Sequence, residues 1–368
     1  MKRYDENGWG ILPAEDEIDR CNAEELGFAR VVRENRGRYQ LVVANQSGDS
    51  FIDAEVSGSF RYCVGVAADY PAVGDWVAVR TEDGSFAVIE WIARRSSCFS
   101  RKAAGVTTEE QVIAANIDVI FLVFAINGGR NFMASGLERY LTVAWDSGAQ
   151  PVVVLNKADL CSDEEREAAV LTAESSAPGV DIRLVSAVSG EGLDELSVGA
   201  QSGLEAGMTI ALAGPSGVGK STLINALAGN DVQKTGAQRD ADLRGRHTTT
   251  HRELFRLESG LLMIDSPGMR ELQLWADSGS ADDAFSEIAE LAENCRFSDC
   301  SHQGEPGCAV QAALASGELE HRRYENYLEL KRELEYLERK QSEKAVGKGE
   351  QRWKDVSKLI RNMHKEKR

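Results

Sequence analysis

Hydrophobic and polar positions fall into three regimes along the chain. From Gly27 to about Trp91 apolar residues alternate with polar ones in short runs, FARVV, YQLVVA, FIDAEVSG, DWVAVR and FAVIEWI, separated by Gly, Asn, Asp and Pro. Alternation bounded by turn formers marks half-buried antiparallel strands, and five of them predict a small barrel of OB type or a sandwich. The runs then become continuously apolar: IDVIFLVFAI, PVVVLNKADL, VDIRLVSA and MTIALAG, with the amphipathic GLERYLTVAWDSGA, a charged helix and another helix between them. This predicts a mostly parallel sheet covered by helices. ELFRLESG and LLMIDSPG predict a hairpin. Beyond Ser280 the pattern is helical and polar, with Tyr327, Leu330, Leu334 and Leu337 at heptad-like spacing, as expected of a helix packing on its own domain. Residues 1–24 are acidic with little periodicity and are expected to form a mobile leader.

Composition narrows the class. At 368 residues the chain exceeds what one core usually supports. No apolar run approaches the ~20 residues that span a bilayer, and no signal-peptide core follows the start, so a cytoplasmic protein without a membrane partner is expected. Seven cysteines, four of them far apart, argue against a secreted disulfide framework. The net charge of −17 argues against nucleic acid, but it is uneven. Residues 331–368 carry 13 Lys and Arg against 7 Asp and Glu, whereas residues 1–330 carry 29 against 52. The tail is thus locally basic on an acidic body, either as a solvated helix end or as a contact for a polyanion. The barrel strands carry no stripe of exposed aromatics for stacking bases, which leaves a purely structural barrel as open as an RNA-binding one.

The first chemical signal is Gly214, Pro215, Ser216, Gly217, Val218, Gly219, Lys220, Ser221 and Thr222, a G-x-x-x-x-G-K-S phosphate loop between a predicted strand and a predicted helix. Backbone N–H groups and the helix N-terminus would face the phosphates, Lys220 would reach the β- and γ-phosphates, and Ser221 would hold Mg²⁺. The second, Asn156, Lys157, Ala158 and Asp159 at the end of PVVVL, resembles the N-K-x-D motif of GTPases. A carboxylate accepts from guanine N1–H and the 2-amino group, whereas adenine offers neither donor and would leave Asp159 buried and unpaired. Ser186 and Ala187 resemble the companion guanine loop. Asp265 to Gly268 resembles D-x-x-G, with Asp265 on the Mg²⁺ side and the Gly268 amide sensing the γ-phosphate. In GRHTTTHRE, Thr249 and Thr250 both suit the Mg²⁺ shell, and His247 is either a water-orienting group or a surface histidine.

These motifs run in a permuted order, with the guanine loops before the phosphate loop and D-S-P-G last. Domain termini usually lie close together, so such a rearrangement preserves the sheet and the site. Met269 stands where many GTPases carry a glutamine, and a thioether cannot orient water. Slow intrinsic hydrolysis completed by a partner is therefore expected, with Arg244, Arg246 and Arg270 as unranked charge stabilisers. Finally, Cys295, Cys300, His302 and Cys308 offer three thiolates and an imidazole, the ligand set of a closed structural Zn²⁺ site, with iron as the lesser alternative.

The strings PAVGDWVAV, RKAAG to EEQVIAANID, NKADL, GPSGVGKSTLIN, GRHTTTHREL, IDSPGMRELQLW and CRFSDCSHQGEPGCAV together closely resemble the bacterial small-ribosomal-subunit-dependent GTPases (RsgA), over nearly the whole chain. The resemblance implies an OB barrel (residues 25–98), a circularly permuted α/β P-loop GTPase domain (99–279) and a mostly α-helical zinc domain with a basic helical tail (280–368). It also implies Mg²⁺-dependent GTP hydrolysis to GDP stimulated by the small subunit during its late maturation, with the barrel and zinc domain on ribosomal RNA. A monomer is expected. A GTP-gated RNA-binding module and a GTPase switch for another protein are the alternatives.

Overall fold

The computed structural model describes residues 5, 8–35, 37–45, 48–82, 86–102, 110–126, 134–229, 252–265, 285–297, 300–328 and 331–332. They belong to two compact units, Met1–Leu274 and Trp275–Arg368. The expected division at 279/280 lies outside the described residues.

The alternating runs form strands β1 (Gly27–Asn35), β2 (Arg38–Asn45), β3 (Gly48–Val56), β4 (Trp76–Glu82) and β5 (Phe86–Ile92). They close as β1-β2-β3-β5-β4 and back to β1, antiparallel except for β3 with β5. Inward-facing Val31, Leu41, Ile52, Val77, Val79 and Ile89 fill the five-stranded barrel. The segment expected to be a mobile leader instead packs on this barrel where it is described. Trp9 and Cys21 are buried, and helix α1 (Glu15–Ala23) is held by Arg94 on Asp16 and by Arg20 over the Trp91 ring. Two isolated apolar anchors leave no periodicity for a sequence reading to find. Between β3 and β4 lies the short helix α2 (Gly58–Cys63).

A separate two-stranded sheet follows the barrel. Strands β6 (Cys98–Lys102) and β7 (Glu110–Ala115) pair antiparallel, burying Phe99 and Ile113. Then come β8 (Val119–Ala125), helix α3 (Ala134–Ser147), β9 (Gln150–Asn156), helix α4 (Asp163–Ser176), β10 (Asp181–Leu184), β11 (Thr209–Ala213), helix α5 (Lys220–Ala228), β12 (Arg252–Arg256) and β13 (Leu262–Asp265). β8 and β11 are buried at every position, as expected of central parallel strands. The order β10-β9-β8-β11-β13 is parallel throughout, and β12 closes it antiparallel as the predicted hairpin. The helix expected between β10 and β11 is only a 3-10 turn, Leu193–Leu196. Gly190 and Gly192 take φ of 87° and 71°, and a Cβ at Gly192 would lie 2.4 Å from the Leu184 carbonyl, so the chain turns there.

β12 also pairs with barrel strand β1, Arg33 opposite Glu253 and Glu34 opposite Arg252, so barrel and α/β sheet share eleven strands. In the second unit, helices α6 (Ser286–Glu293) and α7 (Ala309–Ser316) and a helical stretch over 321–328 surround Phe285, Ile288, Val310 and Tyr327. Of the heptad-like residues only Tyr327 is described; its ring meets Phe285 edge-on at 5.5 Å. Among the described residues no helix is long and apolar enough to cross a membrane.

Candidate nucleotide site and metal centre

In the parallel sheet the connections emerge at the carboxyl edge, where ligands of open α/β sheets bind. β9 ends in Asn156, β10 leads to Ser186, β11 enters Gly214 and β13 ends in Asp265. Four segments distant in sequence therefore open on one edge. The phosphate loop needs its glycines: Gly214, Gly217 and Gly219 have φ of 144°, 82° and 98°. A Cβ at Gly214 would sit 2.1 Å from the Val123 carbonyl, and one at Gly219 would sit 2.5 Å from Asn156 Nδ2. Gly219 caps α5, which opens with Lys220, Ser221 and Thr222, so the helix N-terminus faces an anion with its first-turn amides. Lys220 is buried, with Nζ donating to the carbonyls of Gly214 and Pro215 at 2.6 Å each.

The guanine-type loops brace this one. Buried Asn156 donates from Nδ2 to the Val218 carbonyl (2.9 Å) and accepts on Oδ1 from the Ala187 amide (3.1 Å), joining three loops through one side chain. Lys157, in the left-handed region at φ 69°, donates from Nζ to the Gly217 carbonyl (2.9 Å). The Ser186 hydroxyl donates to Asp159 Oδ1 (2.6 Å) and accepts from the Ser189 amide (3.1 Å), which fixes the carboxylate. Ala158 is fully buried, its amide donating to the Val185 carbonyl at 3.1 Å. Asp265 is brought to the same edge on β13, next to β11. Thr249, Thr250, His247, Gly268, Met269, Arg244, Arg246 and Arg270 lie outside the described residues.

In the other unit, the ligand atoms of Cys295, Cys300, His302 and Cys308 all lie within 4.8 Å of one another. Cys295 Sγ is 3.8 Å from Cys308 Sγ, and His302 Nδ1 is 3.6 and 3.5 Å from those two sulfurs. A tetrahedral ion with bonds of ~2.3 Å to sulfur has edges of roughly 3.8 Å, so the cluster has the size of a metal cage. His302 adopts φ 61°, its carbonyl held by Gln311 Nε2 (2.6 Å) and the Tyr324 hydroxyl (2.5 Å). Glu305 gathers the amides of Ser301 and Gln303 at 2.9 Å each and the Ser301 hydroxyl. Those bonds, the hydroxyl's foremost, hold its carboxyl down at about 2.

A family model described as RsgA GTPase matches residues 92–275. The small ribosomal subunit biogenesis GTPase RsgA 1 of Oceanobacillus iheyensis is 43% identical, covering 90% of this chain and 91% of that protein. The chain belongs to the RsgA GTPase family. A relative of the same name from Opitutus terrae is also 43% identical, covering 89% of each chain. Among solved structures, YjeQ from Thermotoga maritima superposes with a TM-score of 0.63 at 26% identity, covering 84% of this chain and 98% of that one. YloQ, described as a circularly permuted GTPase, gives 0.62 at 25% identity, covering 84% and 95%. A second family model, ABC transporter, matches residues 198–353, a span that contains the phosphate loop but not Asn156 to Asp159. As an RsgA GTPase the protein is a GTP hydrolase of permuted motif order.

Two supports of this RsgA site escaped the sequence reading. Arg166, on α4, donates from Nε to the Ala158 carbonyl (3.0 Å) and meets Glu191 at 3.1 Å, tying the two guanine-type loops together. Cys161 donates from Sγ to the Ile126 carbonyl at 3.3 Å. Neither belongs to a motif; both act through neighbours that only folding supplies.

Proposed function

We propose that this chain is a GTPase of small-ribosomal-subunit maturation, hydrolysing GTP to GDP and phosphate with turnover stimulated by the subunit. One observation carries the reading: Asn156 ties the phosphate loop to both guanine-type loops while Ser186 fixes Asp159, in a chain whose relatives are named for small-subunit biogenesis. Asp159 reads the guanine edge, Asn156, Lys157, Ala158, Ser186 and Ala187 shape the base pocket, and Gly214 to Thr222 cradle the phosphates. Ser221 and Asp265 would hold Mg²⁺, which supplies charge neutralisation between the β- and γ-phosphates when bound. Thr250 or Thr249, His247 and Gly268 complete the γ-phosphate side. With Met269 in place of a water-orienting amide, intrinsic turnover is slow and the partner completes the site, a gain of about 10³–10⁵.

Zinc is the metal proposed for Cys295, Cys300, His302 and Cys308. Three thiolates and one imidazole fill a tetrahedron, so the ion folds its unit and leaves no open position for substrate. The partners are GTP and GDP, the small subunit and its ribosomal RNA, with the protein acting as a cytoplasmic monomer. The test is GTP hydrolysis by the purified protein with and without small subunits, with Asp159→Asn and Lys220→Ala as controls. Strong stimulation of the wild type, absent from both variants, is expected. Fast turnover without subunits and no stimulation would overturn the reading.

A further inference from the structure

One buried side chain joins the barrel to the end of β11 that is remote from the phosphate loop. Arg30, on β1, is 1% exposed. Its guanidinium donates to four segments: Nε to the Gly74 carbonyl (3.1 Å), Nη1 to the Trp9 carbonyl, and Nη2 to the Asn116 carbonyl (3.1 Å) and Thr209 Oγ1 (2.9 Å). Leader, barrel turn, β7–β8 connection and β11 thus meet on one planar fork. The approach is too close for other residues: a Cβ at Gly10 would lie 1.9 Å from Nη1, and one at Gly74 would lie 2.1 Å from the Ala115 carbonyl. Burial lowers the Arg30 pKa to about 10 against the opposing fields of Asp118, Asp75 and Asp5.

Thr209 is the first residue of β11, whose other end enters Gly214. Its backbone is pinned on both sides by Asp118, the Thr209 amide to Oδ2 at 2.9 Å and the Asp118 amide to the Thr209 carbonyl at 2.8 Å. Five residues at ~3.3 Å each place this anchor about 16 Å below the phosphate loop. A second connection runs across the sheet, where Arg33 of β1 stands opposite Glu253 of β12, which stands opposite Asp265 of β13. The barrel is therefore in register with both strands that lead into the phosphate-binding edge. Nothing in the binding of guanine or phosphate calls for a buried arginine at this depth.

We infer that Arg30 and Thr209 form a positioning pair that couples the seating of the barrel to nucleotide binding at the phosphate loop. The fork is satisfied only when leader, barrel and β11 are all in place, so ordering one end favours order at the other. Such coupling is reciprocal: nucleotide tightens the barrel junction, and whatever engages the barrel alters nucleotide binding. The inference rests on guanine-nucleotide binding at these loops, and the affinity measured below reads that separately.

The experiment is hydrogen exchange in the full chain, with and without a non-hydrolysable GTP analogue and Mg²⁺, followed in peptides covering residues 27–35 and 72–80. In the wild type the analogue should slow exchange there by about fivefold or more, the lower end of ordinary coupling. Thr209→Val, isosteric but without the acceptor, should bind the analogue with near wild-type affinity and lose the slowing; Thr209→Ser should restore it. Arg30→Lys, which keeps the charge without the fork, should behave like Thr209→Val and stands in for it if that variant does not fold. No slowing in the wild type, equal slowing in Thr209→Val, or failure of Thr209→Ser to restore it would each overturn the inference.

Discussion

Asn156 is the residue on which the nucleotide site turns. One buried amide satisfies the Val218 carbonyl and the Ala187 amide. Asn156→Ala leaves the buried Val218 carbonyl and the half-buried Ala187 amide short of a partner, the first at a cost of about 1–3 kcal/mol. Guanine-nucleotide affinity should fall by about tenfold or more in a fluorescent-GDP titration. Ser186→Ala is the milder case: Asp159 keeps its charge but loses the hydroxyl that aims it, an effect of about 1 kcal/mol and a several-fold loss in the same titration. Gly219→Ala should be more severe than either, because a Cβ there meets both an unfavourable φ and the Asn156 side chain.

At the scale of elements, the candidate metal centre is a loop between two short helices of eight residues each. Isolated helices of that length are unstable in water, and the core they share is small. Part of their order comes from Glu305 and Tyr324, but the larger share should come from the ion that removes the mutual repulsion of three thiolates. Metal analysis should give one zinc per chain. A strong chelator should lower helical ellipticity and open residues 285–328 to proteolysis, while GDP binding by the other unit persists. Retention of that helical signal after complete metal removal would sink the structural-zinc proposal.

For the molecule as a whole, the decisive feature is the junction of β1 with β12, which makes barrel and α/β domain parts of one sheet. The exposed ion pair Arg33 to Glu253 beside it contributes little, about 0–1 kcal/mol, whereas the buried Arg30 fork and the shared backbone ladder tie the two bodies together. Calorimetry should therefore show barrel and GTPase domain unfolding in a single transition that GDP moves upward, by about 2.7 kcal/mol of stabilisation at a hundred times its Kd. Two transitions, only one of them sensitive to nucleotide, would mean that the barrel folds independently.

Much of this architecture is local chemistry and was legible in the chain. Alternation named the five barrel strands, continuous apolar runs named the parallel ones, and type and spacing alone single out the phosphate-loop glycines, Asp159 and the three cysteines with His302 as candidates. The packing of the leader and the absence of a helix after β10 have no periodic signature, because isolated Trp9 and Cys21 decide the first and left-handed Gly190 and Gly192 the second. What only the tertiary structure decided is which distant groups meet: Asn156 with Val218, Ser186 with Asp159, Arg30 with Thr209. A hydrogen bond is set by position in space and by burial, and residues 179 positions apart acquire both only when the sheet assembles.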